Sequence, residues 1–318
     1  MRGHKFVGLL SLILLSSSWS ELVVAAEGKS LTRELRQESA KSGLCLAQVG
    51  GTSYLRIVPF GGPAVEANLG RHALMGRFSQ DGRTAIVYAG RTLAVMSGRN
   101  ELWRATTGLA VNDAAVSPDL QRIAVVGVDN ARRAAGIFVV SKGDESPRAV
   151  HGFGSAILPP DPRAGRSPID LILSRAAAPS WSPDGKVIAF SAEGKMYMYE
   201  VDAGEEMQIG AGTAPSWSAD GQNLAFLAPD CAVTIGDAKG KMARRLQIFA
   251  ATSSTIRWSP NGRYILVNRS AKRNTRCGQQ TVYRVSDGAM YSLGGSCDVG
   301  DSGLGWLVLT AGTWPLEK

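Results

Sequence analysis

A repeat constrains this chain more than any single motif. Ala178 to Phe190 reads A-P-S-W-S-P-D-G-K-V-I-A-F, and Ala214 to Phe226 reads A-P-S-W-S-A-D-G-Q-N-L-A-F. Weaker copies run from Ser254 to Val267, Met75 to Val87 and Ala114 to Val126. The turn position is held by Asp81, Asp119, Asp184, Asp220 and Asn261. A period of roughly 40 residues is the signature of stacked structural units, each too small to bury its apolar face alone. The interval from Asp119 to Asp184 is much longer than the others and holds one unit plus an insertion, 154–177.

Each unit has a physical logic. Its first strand ends in Phe78, Val116, Trp181, Trp217 or Trp258. A tight turn follows. Pro presets φ at one corner, Asp or Asn bonds the backbone two residues on, and Gly accepts positive φ. Leu120 stands where the other turns carry Gly. The second strand is a short unbroken apolar run, such as Val187-Ile188-Ala189-Phe190. Such a run suits a strand covered on both faces, as in a blade packed between two others.

The N-terminal segment from Cys45 to Gly70 matches Val187 to Gly210, that is, the second, third and fourth strands of one unit. The missing first strand reappears at the far end, in Leu304 to Leu309. The expected fold class is therefore all-β, a six-bladed β-propeller over 44–314. Its ring is closed by pairing of the C-terminal strand with the N-terminal blade, which removes free sheet edges. Residues 27–43 read as a flexible lead or a short helix.

A basic n-region (Arg2, His4, Lys5), an apolar run from Phe6 to Leu15, and Val24-Ala25-Ala26 read as a signal peptide, 1–26. The apolar run is shorter than the roughly 20 residues a spanning helix needs, so no transmembrane segment is expected after cleavage. Removing Arg2, Lys5 and Glu21 lowers the formal charge from +8 to +7. Export puts Cys45, Cys231, Cys277 and Cys297 in an oxidising compartment, where disulfides are favoured. Cys277 with Cys297 is the preferred pair, being close in sequence and within one unit. Cys45 falls at a core-strand position, where a buried free thiol is the alternative.

The tract W-S-P-D-G-[K/R]-x-[I/L]-A-F, recurring at this period in an exported chain, resembles the WD40-like repeats of the TolB propeller family. The resemblance is strongest from Ala178 to Asp287. It implies a periplasmic or secreted interaction propeller of the cell envelope. TolB itself carries an α/β domain ahead of its propeller. Here only the short segment 27–43 separates the expected cleavage site from the first strand.

Catalytic signals are thin. No G-x-S-x-G elbow or H-E-x-x-H helix occurs, and His72 and His151 lie near unit boundaries. The repeated Asp residues are explained by turn chemistry. The reading is a non-enzymatic protein-binding scaffold without cofactor, metal or nucleic-acid partner, expected to be monomeric. The alternative is a small-ligand or glycan-binding propeller using the central funnel. In a four-stranded blade the S-P-D-G turns share one face, and the strand 2–3 loops and inter-blade connections share the other. That second face gathers Arg132 and Arg133; Arg163, Arg166 and Arg175 of the insertion; and Arg269, Lys272, Arg273 and Arg276. These basic residues are the candidate partner site, for a protein segment or an anionic envelope component.

Overall fold

The structure is a computed structural model. It describes residues 31–50, 54–58, 60, 65–68, 75–89, 91–98, 100–129, 131, 134–144, 146–153, 179–239, 241–249, 255–269, 279–293 and 304–309. The expected leader and insertion lie outside these residues, as do Cys277 and Cys297.

Six antiparallel four-stranded units form a six-bladed β-propeller. Blade 4 shows the plan: Ser180–Trp181, Val187–Ala192, Lys195–Glu200 and Glu205–Ala211, from the inner strand outward. The inner strands of blades 2, 3, 5 and 6 are Met75–Phe78, Leu109–Val116, Thr213–Trp217 and Thr255–Trp258. Blade 1 is composite. Leu304–Val308 pairs antiparallel with Leu44–Gly50, with Leu46 opposite Trp306.

The apolar runs serve two interfaces at once. Ile188 and Phe190 pack in the cluster between blades 3 and 4, while Ala189 faces blade 5 with Trp217 and Leu224. Each of the six blade–blade interfaces has its own buried apolar cluster, including the one between blades 6 and 1. Burial on both faces is why these strands need no polar alternation. Indole N–H groups add directional latches. Trp181 Nε1 donates to the Ala115 carbonyl of blade 3 at 2.9 Å, and Trp306 Nε1 donates to the Arg257 carbonyl of blade 6 at 3.1 Å.

The five turns repeat one bonding scheme. In blade 4, Ser182 Oγ donates to Asp184 Oδ1 at 2.5 Å and accepts the Val187 N–H at 2.9 Å. Asp184 Oδ1 also accepts the Lys186 N–H at 3.1 Å. The Ser182 hydroxyl, then the Lys186 amide and charge, hold this carboxyl below its usual range against a smaller opposing effect of burial. Gly82, Gly185, Gly221 and Gly262 sit at φ of 69–71°, as the turn requires. Leu120 adopts φ 59° in the same place. Its carbonyl accepts the Trp103 indole N–H at 2.7 Å, and its side chain packs at the interface of blades 2 and 3. These contacts hold a residue that would otherwise avoid the left-handed region.

Residues 31–42 form a helix, the second of the two readings of this segment. Leu31 and Leu35 are fully buried with Leu44, Leu46, Tyr264, Leu266 and Trp306, between blades 6 and 1. At about 2 kcal/mol for each buried leucine, the helix is part of the core. The sequence hides this because two leucines four apart are a weak signal amid charged residues. Its charges are also used. Glu34 accepts the Tyr264 hydroxyl at 2.7 Å and an Arg263 N–H at 2.6 Å, and it pairs with Arg284. Glu38 accepts a second Arg263 N–H at 2.8 Å. Gly43 ends the helix at φ 71°, and Leu309 N–H donates to its carbonyl at 2.9 Å. A Cβ on Gly43 would lie 2.2 Å from the Leu309 oxygen, so only glycine fits.

Candidate functional site

The inner strands surround a narrow channel that widens on the turn face. The narrow part is a cavity of about 60 Å³, whose lining includes Phe78, Trp181, Trp217, Trp258 and Trp306. The mouth is a separate pocket of about 460 Å³. Its apolar lining is Leu44, Val116, Pro118, Leu120, Pro183, Ala219, Pro260 and Val308; its polar lining is Ser42, Ser79, Gln80, Asp81, Arg83 and Asn261. Most of these occupy equivalent turn positions. Pro118, Pro183, Ala219 and Pro260 are the first corner residues of blades 3 to 6. One turn thus builds both the scaffold and the rim of the pocket.

Blade 2 departs from the scheme. Gln80 stands at the proline position, and its Nε2 donates to the carbonyls of Trp217 at 2.9 Å and Ser218 at 3.0 Å, in blade 5. The side chain crosses the funnel and lines both the mouth and the channel. It forms the floor of the mouth. Blade 1 has no turn of this kind, because its inner and second strands come from opposite ends of the described chain. Blade 2 leans into that gap: Val308 N–H donates to the Gly82 carbonyl at 2.8 Å, and a Cβ on Gly82 would meet the Pro260 ring at 3.2 Å.

Below the floor, Arg77 of blade 2 pairs with Asp113 of blade 3. Burial pushes the Asp113 carboxyl up to about 6, against the pull of the Arg77 guanidinium and the Ala114 amide. Away from the channel, His151 Nδ1 lies 2.8 Å from Glu206 Oε2, joining the outer strands of blades 3 and 4. Its ring packs against Tyr197, Phe190 and Phe153 at centroid distances of 4.9, 5.2 and 5.7 Å. Among the described residues no group of three or more His, Cys, Asp or Glu is placed to hold a metal ion.

Of the loop-face candidates, Arg269 is placed at the end of Tyr264–Arg269, opposite Gln279 at the strand 2–3 loop. Arg132, Arg133, Arg163, Arg166, Arg175, Lys272, Arg273 and Arg276 lie outside the described residues. Cys45 is a free, buried thiol, raised to about 12 by burial, and Cys231 is free and half-buried. Among the described residues, no helix is long and apolar enough to cross a membrane. Sequence reasoning offers the central funnel only as the alternative site, and the residues that line its mouth escape it, because the turns that build them read as scaffold alone. The available signal is Gln80, a polar residue at a position that is Pro in three blades.

Solved structures share this architecture. A protein from Agrobacterium tumefaciens, provisionally described as TolB, aligns over 84% of this chain and 99% of its own length, at 15% identity and a TM-score of 0.52. The fold is a TolB-like six-bladed propeller. TolB from Acinetobacter baumannii aligns over 82% of this chain and 66% of its own, at 15% identity and a TM-score of 0.54. The match therefore spans about two thirds of the Acinetobacter protein. No protein-family profile matches the sequence, and no curated protein does. At this identity the TolB-like propeller is a likeness of fold.

Proposed function

We propose that the chain is an exported, non-enzymatic propeller of the periplasm or cell envelope, and that it captures a protein segment at its funnel mouth. The mouth carries the reading. Its volume of about 460 Å³ lies in the range of ligand sites, whereas the channel beneath, at about 60 Å³, does not. Eight of its fourteen lining residues are proline or aliphatic, and of the polar ones Ser42, Ser79 and Gln80 already donate within the protein. That chemistry suits an apolar side chain presented by a peptide better than a glycan, whose many hydroxyls need polar partners. The rim is rigid, since the five turns are fixed by the Ser–Asp scheme or, in blade 6, by Ser259 and Asn261. A preformed pocket costs less ordering on binding. The leader supports export, and the TolB-like fold and repeats support an interaction role.

The loop-face arginines are the second place for contact, through an acidic segment or an anionic envelope polymer. Affinity capture from envelope extract separates the two faces. The mature wild-type chain is compared with Ala219→Trp, which fills the mouth, and with the double variant Arg273→Glu/Arg276→Glu. A mouth partner is lost on Ala219→Trp and kept on the double variant. Salt-sensitive loss on the double variant alone assigns capture to the loop face. An identical protein set from all three chains refutes capture at either face.

A further inference from the structure

Six equivalent positions, each one residue before the last of an inner-strand motif, form the waist of the channel. Around the ring from blade 6 they are Arg257, Gly305, Arg77, Ala115, Ser180 and Ser216. Two guanidiniums therefore flank the one position that lacks a side chain. Only one of them has a counter-charge. Arg77 pairs with Asp113. Among the described residues, Arg257 has no carboxylate partner, and its guanidinium donates to the Ile256 carbonyl at 2.9 Å. On the other side of the waist, Ser180 Oγ accepts the Trp217 N–H at 3.0 Å and Ser216 Oγ accepts the Trp258 N–H at 3.2 Å. Each hydroxyl keeps its own proton to donate.

The waist is thus rich in donors and carries one uncompensated positive charge, in a cavity of about 60 Å³. Half-buried charge is costly unless it is paired. The cavity is too small for a sugar or nucleotide, and Gln80 separates it from the mouth. We propose that the waist binds a small anion, a halide or short carboxylate, held by Arg257 and the hydroxyls of Ser180 and Ser216. The site is independent of what occupies the mouth. Among the described residues, the charged side chains lining the cavity are Arg77 and Arg257, and Asp113 acts on it through its pair with Arg77. Protonation of Asp113 frees Arg77 from its partner and adds a second uncompensated charge. Affinity therefore rises as pH falls through about 6.

The test uses the native tryptophans, since Trp181, Trp217, Trp258 and Trp306 line the cavity. Sodium iodide replaces sodium gluconate at constant ionic strength, and fluorescence quenching is recorded for the full chain. A saturable component is expected, displaced by sodium acetate or bromide and stronger at pH 5 than at pH 8. Arg257→Gln should weaken it at least about tenfold, the scale of one lost charged hydrogen bond. Ser180→Ala/Ser216→Ala should weaken it several-fold, and it carries the test if Arg257→Gln does not fold. Purely linear quenching in the wild type overturns the proposal. So does a saturable component that survives in the folded variants.

Discussion

Substituting Glu34 tests whether the N-terminal helix is structural. Its carboxylate ties the helix to three groups of blade 6, Tyr264, Arg263 and Arg284, and shares Arg263 with Glu38. Glu34→Ala removes all three contacts. The largest loss is at Tyr264, a fully buried residue whose hydroxyl is left without this acceptor; an orphaned buried hydroxyl costs about 1–3 kcal/mol. Arg284 loses one partner but keeps Asp287. Arg263 is about half exposed (52%), so its pair adds little. The sum is about 2–3 kcal/mol, or a fall in midpoint of about 3–5 °C for a domain of this size. Glu34→Gln keeps an acceptor for Tyr264 and loses only the charge, so its cost is smaller, about 1 kcal/mol. Burial opposes ionisation of Glu34, but the Tyr264 and Arg284 hydrogen bonds outweigh it and hold the carboxyl below its usual range. A depressed carboxylate stabilises the fold above its unfolded pKa, and that stability is lost as pH falls through the folded value. The gap between wild type and Glu34→Gln should thus be full at pH 7 and close toward pH 3. Urea unfolding followed by tryptophan fluorescence reads it, since Trp306 lies in the same cluster. A Glu34→Ala variant within about 0.5 kcal/mol of wild type, the scatter of neutral surface changes, would refute the clamp. So would a Glu34→Gln gap unchanged at pH 3.

Two further outcomes follow from local chemistry. Cys45, buried and with its thiol raised to about 12, should resist alkylation in the native protein at pH 8, while Cys231, half-buried, reacts faster; peptide mapping by mass spectrometry reads both. Glu193 is exposed at φ 51° beside Gly194, in a two-residue hairpin between Val187–Ala192 and Lys195–Glu200. Glu193→Asn suits that left-handed position better and should stabilise by about 0.5–1 kcal/mol, visible as a raised thermal midpoint; an unchanged or lowered midpoint counts against the turn strain.

Much of the fold was legible because the repeat states its own physics. A turn with Ser, Asp and Gly at fixed offsets, followed by four apolar residues, specifies a strand, a corner and a doubly covered strand. Even the composite blade could be read, since Leu304 to Leu309 supplies the first strand absent before Cys45. The helix was less legible. Leu31 and Leu35 signal only one buried stripe, and the acceptor role of Glu34 depends on Tyr264 and Arg284, some 230 and 250 residues away. The central funnel was legible as an alternative site, but the residues of its mouth and waist were not. Each is assembled from single residues contributed by separate blades, and no local pattern marks them.

The tract from Ala178 to Phe190 determined by itself that Trp181 would be buried, that Asp184 would close a turn, and that Val187 to Phe190 would be a strand covered on both faces. These follow from backbone preference and burial, which act over a few residues. Only the tertiary structure decided that Gln80 floors the funnel, that Arg77 takes Asp113 while Arg257 is left without a carboxylate, and that a charged leading segment becomes a clamp on the last interface. Those outcomes depend on which residues the ring brings face to face, and the spacing of six blades, not the local sequence, sets that.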